Sequence, residues 1–125
     1  MILVDTSVWV EHLRNADALL ADLLVRGDVV GHPFVVGEIA CGSLKNRAAT
    51  LELLQDLPMA AVAEIEEVLG YIDRHKLHGK GIGYVDVHLL VATALIGGAR
   101  LWTRDRRLHA VAHELGCAHG GASPH

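Results

Sequence analysis

The chain opens on an apolar run, Met1-Ile2-Leu3-Val4, that stops abruptly on Asp5-Thr6-Ser7. An uninterrupted run of this kind reads as a strand buried on both faces, as in a parallel sheet covered by helices. Val8, Trp9 and Leu13 follow at helical spacing and predict a helix from about Val8, capped by Thr6 or Ser7. Leu19, Leu20, Leu23 and Leu24 predict a second helix over 16–26, stopped by Gly27. Val29-Val30 is a short strand, and Pro33 opens a helix that runs through Cys41. Residues 46–57 continue in helical pattern up to Pro58. A short strand over 59–62 and a helix over 64–75 come next. Gly79, Gly81 and Gly83 make 77–84 a loop. An apolar helix over 85–96 ends at Gly97-Gly98, Leu101-Trp102-Thr103 is a further buried strand, and 106–115 is a last helix. Strands alternating with helices predict a layered α/β fold with a mainly parallel sheet. Residues 1–119 are expected to form its single domain and 120–125 a disordered tail.

Composition narrows the setting. At 125 residues, with 51% hydrophobic and 4% aromatic content, the chain supports one core and a self-association surface. A net charge of −4 provides no global field for nucleic acid, so a polyanionic partner must be met by local basic patches. Cys41 and Cys117 have no framework spacing, which points to a reduced, cytoplasmic location. The opening residues lack the pattern of a signal peptide, and the apolar stretch 87–99 is too short to cross a bilayer. No membrane role is expected.

Three acids stand alone in apolar surroundings. Asp5 closes the first strand, Glu38 interrupts the run from Pro33 to Gly42, and Asp86 lies near the start of the run from Val85 to Leu95. Burying an unpaired carboxylate costs several kcal/mol unless it is paired or bound to metal. Asp105 follows the strand ending at Thr103, just as Asp5 follows the first. Should these strands be neighbours, both acids face one crevice beyond the strand ends, where such sheets place their chemistry. Each acid also has a plain structural reading: Asp5 and Asp105 as helix caps, Asp86 as a first-turn acid, Glu38 as a core acid held by backbone donors. Gathered together they would repel and raise one another's pKa values. A divalent cation removes that problem, and an all-oxygen donor set suits magnesium or manganese rather than zinc. Phosphodiester hydrolysis is the chemistry such a site does best.

Other constellations are weaker. His113-Glu114 would need a second histidine at 117, where Cys117 stands, so the zincin pattern fails. His88 reads as a buried histidine, Trp9 and Trp102 as core or interface anchors, and the glycine loop lacks the lysine of a phosphate cradle. Arg100, Arg104, Arg106 and Arg107 flank the strand before Asp105 and are placed for phosphate contacts.

These residues together resemble a PIN-domain ribonuclease, and more narrowly a VapC-type toxin of a bacterial type II toxin–antitoxin pair. The resemblance runs from Val4-Asp5-Thr6-Ser7-Val8-Trp9 through Val36-Gly37-Glu38-Ile39 and Gly83-Tyr84-Val85-Asp86 to Thr103-Arg104-Asp105. It implies a three-layer α/β/α sandwich and a Mg2+- or Mn2+-dependent endoribonuclease that cuts RNA to 5′-phosphate ends. It also implies a homodimer and neutralisation by a VapB-type antitoxin in a hetero-oligomer. Carried across by residue, Asp5 and Asp86 are metal ligands and Asp105 a further one, direct or through water. Glu38 orients water or holds a second metal, and Thr6, Ser7 and Thr103 position the acids. Arg104 and Arg106 are the substrate-binding candidates. Two readings of other classes compete: a partner-binding module whose acidic cleft holds a basic peptide, and an aspartate phosphoacceptor. The phosphoacceptor would want paired acids after the first strand and a lysine after the last, where Thr6-Ser7 and Arg104 stand.

Overall fold

The computed structural model describes residues 1–120 of the chain. All but the first residue of the expected 120–125 tail therefore lies outside the described residues. Three parallel strands form the centre: β1 (Ile2–Val4), β2 (Val29–Val30) and β3 (Arg100–Trp102), in the order β2-β1-β3. Ile2 pairs with both Val29 and Arg100, and Val4 with Trp102. Leu3 and Val4 point to opposite faces of β1, and both are fully buried. Both faces of the sheet are therefore covered, as the apolar run predicts.

The covering helices are α1 (Thr6–Arg14), α2 (Ala18–Val25), α3 (Pro33–Ala40), α4 (Arg47–Gln55), α5 (Ile65–His75), α6 (Tyr84–Leu95) and α7 (Arg106–Glu114). Val8 and Trp9 of α1, Leu20 of α2, Leu89 and Leu90 of α6 and Leu108 of α7 join Leu3 and Leu101 in one core. Trp9 is buried there, as the anchoring role requires.

Most element ends shift by one or two residues, and two differences have a definite physical cause. The segment 59–62 contributes a single parallel bridge, Gly31 to Met59, rather than a strand. Gly31 N–H donates to Pro58 O and Ala60 N–H to Gly31 O, both at 2.8 Å. β2 then turns at His32-Pro33 into α3, so no further rung exists for the segment to pair with. The second difference is the start of α1: Asp5, not Thr6 or Ser7, is the cap. Asp5 is extended (φ −69°, ψ 156°) while Thr6 is already helical.

Each strand runs directly into a helix at its carboxyl end. β1 leads through Asp5 to α1, β2 through His32 to α3, and β3 through Asp105 to α7. One edge of the sheet thus gathers several positive helix ends.

His32 illustrates how tightly that edge is packed. Its ring is fully buried, and Nδ1 accepts the Phe34 N–H at 3.0 Å, which puts the ring proton on Nε2. Burial first, then the neighbouring His88, lowers its pKa from 6.5 to about 4. A histidine kept neutral when folded contributes stability that is complete above pH 6.5 and is lost as pH falls towards 4. His32→Asn keeps a capping side chain but removes this titration. It should therefore lessen the loss of unfolding free energy between pH 6.5 and 5 by about 2 kcal/mol, measured by urea titration. An unchanged pH slope would count against the assignment.

Candidate active site

Asp5 is the most enclosed of the four acids, with 6% of its surface exposed. Its Oδ2 accepts from Ser7 Oγ at 2.7 Å, from Thr103 Oγ1 at 2.8 Å and, at 3.4 Å, from Ser7 N–H. The two hydroxyls are themselves acceptors. Arg104 N–H donates to Ser7 Oγ at 2.9 Å, and Asp105 N–H to Thr103 Oγ1 at 3.0 Å. The turn after β3 is thus tied to the turn after β1 through two hydroxyls that end on one carboxylate oxygen. Asp5 N–H bonds Trp102 O at 2.9 Å and continues the β1–β3 ladder into this corner.

The other acids repeat the arrangement. Glu38 Oε1 accepts from Thr6 Oγ1 at 2.6 Å, joining α3 to α1. Asp86, in the first turn of α6, accepts the Gly83 N–H on Oδ2 at 2.9 Å, the half of a capping box that a glycine cap allows. Asp105 caps α7, with Oδ1 accepting the Leu108 N–H at 2.9 Å. Among the described residues, each carboxylate therefore has one oxygen held by a donor and a second with no hydrogen bond.

The acids also act on one another. Burial chiefly raises the Asp86 pKa above its ordinary 3.8, opposed by the Gly83 N–H, and the charges of Asp5, Asp105 and Glu38 raise it further. The four predicted acids meet electrostatically at Asp86. Burial is uneven across the four acids. Asp5 is buried and Asp86 half-buried, whereas Glu38 and Asp105 are exposed. The capping readings of Asp5 and Asp105 are also correct, and the same residue does both jobs.

The two substrate-binding candidates differ in what holds them. Arg104 Nη2 bonds Asp17 Oδ2, the cap of α2, at 3.0 Å. Arg106 is exposed in the first turn of α7. His88 is buried against Phe34 and Tyr84, with ring centroids 4.7 and 4.6 Å away. Sequence reasoning missed Asp17 as the partner of Arg104 and Gly83 N–H as the anchor of Asp86. The spacing of Gly83 three residues before Asp86 was the available signal for the second.

A divalent cation suits these donors. Hard oxygen ligands, mutual repulsion at Asp86 and the unbonded oxygens are what such an ion relieves. Among the described residues no three His, Cys, Asp or Glu side chains close directly on one ion.

Thr103 is the hinge of this network, 2% exposed and bridging Asp5 to the Asp105 N–H. Thr103→Val keeps the volume but strands the Asp105 N–H and removes a donor from Asp5. It should lower activity about 10- to 100-fold and stability by about 1–3 kcal/mol. Parallel turnover and unfolding assays would check this, and wild-type values in both would refute the bridging role.

A parallel sheet with helices on both faces, and carboxylates collected beyond the strand ends, matches one family across most of its length. The PIN domain accounts for residues 2–114, and the chain belongs to the PIN-domain family. Within it the chain is of the VapC type. It is 52% identical over 118 residues to Ribonuclease VapC32 of Mycobacterium tuberculosis, in both strain CDC 1551 and strain H37Rv, covering 94% of this chain and 95% of that protein.

Proposed function

We propose that this chain is a divalent-metal-dependent endoribonuclease acting as the toxin of a toxin–antitoxin pair, with residues 1–119 as its catalytic unit. The observation that carries the reading is the acid set itself. Asp5, Glu38, Asp86 and Asp105 each have one oxygen fixed by a donor and one open, and the other three act on Asp86. Asp5 and Asp86 are the metal ligands in this reading, and Asp105 joins them directly or through water. A bound Mg2+ or Mn2+ would polarise the phosphate and lower the pKa of a water. The chain's own residues do the positioning. Ser7 and Thr103 keep Asp5 in one rotamer, so its open oxygen has a fixed direction. Glu38, steadied by Thr6 and exposed at the rim, orients the attacking water and can take its proton.

The partners follow from the same reading. A cleft of about 430 Å³ lies beside Glu38, lined by Val10, Leu13, Ile39 and Leu44 with Arg14 and Lys45. This supports a VapB-type antitoxin segment lying across the site. Exposed Ile65 and Leu69, one turn apart on α5, support a homodimer. No helix among the described residues is long and apolar enough to cross a membrane, and we place the protein in the cytoplasm.

Purified chain freed of antitoxin should cut RNA with Mg2+ or Mn2+ to 5′-phosphate ends and stop in EDTA. Undiminished cleavage in EDTA would overturn the metal dependence. Binding of a basic peptide with no cleavage in either metal would favour the non-catalytic module.

A further inference from the structure

The arginines around Asp105 differ in what holds them. Arg104 is paired with Asp17. Arg106 and Arg107 occupy the first two positions of α7, and among the described residues neither has an ion pair or hydrogen bond. Cations are disfavoured at a helix N-terminus, and no acid follows in that first turn to offset them. The folding of α7 therefore gains nothing from their charge.

Arg107 is further set apart by where its side chain goes. It lies across Gly81, so close that a Cβ on residue 81 would stand 2.8 Å from its Cδ, 3.0 Å from Nη1 and 3.2 Å from Nε. The contact is open because residue 81 is glycine, which also accepts its φ of +79° without strain. Two residues on, Gly83 N–H holds Asp86. Arg107 thus spans from the helix that Asp105 caps to the loop that anchors Asp86. The carboxylates acting on Asp86 are Asp5, Asp105 and Glu38. The guanidinium lies on the loop two residues before Gly83, and among the described residues no carboxylate pairs with it.

An acid cluster on a chain of net charge −4 repels an RNA backbone. A cation fixed at the rim offsets that repulsion and sets the strand's position. Arginine does so better than lysine, because its planar fork matches two phosphate oxygens. Bracing along Cδ and Nε also removes part of the entropy otherwise lost on binding.

We propose that Arg107, braced on Gly81 between the helix that Asp105 caps and the loop that anchors Asp86, is a phosphate-binding residue, taking an RNA phosphate adjacent to the bond that is cut. This rests on the ribonuclease reading above and replaces Arg104 in the substrate-binding role.

The test is binding of a fluorescently labelled single-stranded RNA in EDTA over a series of salt concentrations. Wild type is compared with Arg107→Gln, Arg107→Lys and Arg26→Gln. Arg26 pairs with Asp22 and lies near the start of β2, away from the acids, so its variant controls for net charge. Arg107→Gln should weaken binding about 10-fold and make the slope of log K against log salt shallower by about 0.7. Arg107→Lys should fall between, because the charge stays and the fork is lost. Arg26→Gln should match wild type. In cleavage assays with Mn2+, Arg107→Gln should raise KM and leave kcat nearly unchanged. Wild-type affinity and salt slope in Arg107→Gln would overturn the proposal, as would an equal loss in Arg26→Gln. Failure of the ribonuclease reading looks different: wild type would bind RNA and cut none of it in any divalent metal. Arg107-dependent binding in that case would still support the phosphate seat.

Discussion

An Asp5→Asn chain is expected to fold normally and to lose RNA cleavage on the order of 1,000-fold in kcat/KM, about 4 kcal/mol of transition-state stabilisation. The direction follows from the donors around it. Ser7 and Thr103 both present hydroxyl hydrogens to one oxygen of residue 5, and their own lone pairs already accept the Arg104 and Asp105 N–H groups. The asparagine must therefore turn its carbonyl towards the hydroxyls, which places its amide in the cleft. An NH2 group there cannot ligate a cation, and it removes one of the charges that attract it. The fold should tolerate the change, since the carbonyl keeps the bonds to Ser7 and Thr103. Thermal unfolding without metal should shift by only a few degrees. Single-turnover cleavage assays beside the melts would decide the matter, and activity within a few-fold of wild type would remove Asp5 from the site.

Asp86→Asn should separate activity from stability. The Gly83 N–H still finds a carbonyl oxygen, so that helix-end bond survives, while cleavage should fall at least about 100-fold if the proposed metal ligand is lost. The sign of the stability change is the informative part. Asp86 has its folded pKa raised by burial and by three neighbouring acids. The folded chain then holds the proton more tightly than the unfolded chain. Stability falls as pH rises from 3.8 through the raised folded value and stays lower above it. The asparagine variant lacks that penalty and should melt higher than wild type at neutral pH without metal. Adding Mg2+ or Mn2+ should reverse the order. Wild type should gain about 2.7 kcal/mol at a hundredfold excess over Kd, and the variant little. A variant that melts lower than wild type in EDTA, or that gains equally from metal, would show that Asp86 does not face the cation.

Much of this was legible residue by residue. The run Met1–Val4 specified a doubly buried strand, because one apolar side chain on each face needs cover on both faces. Gly79, Gly81 and Gly83 marked the loop before α6, and two of them take positive φ. The start of α1 was misplaced because Thr6, Ser7 and Asp5 are all good caps, and sequence cannot rank them when one is also held by a distant strand. The segment 59–62 failed as a strand because pairing depends on the length of its neighbour, and β2 has only two residues.

Sequence alone determined which residue types close the apolar elements: a carboxylate after β1, inside α3, at the start of α6 and after β3. Local hydrophobic periodicity and capping chemistry determine such things, since they act over a few residues. Only the tertiary structure decided which hydroxyl holds which carboxylate oxygen, that Arg104 turns to Asp17, and that Arg107 lies on Gly81. Thr103 reaches Asp5 across 98 positions of chain, and Arg104 reaches Asp17 across 87. Parallel pairing of β1 with β3 brings those residues together, so the partner of each side chain is set by the sheet rather than by its own neighbours in sequence.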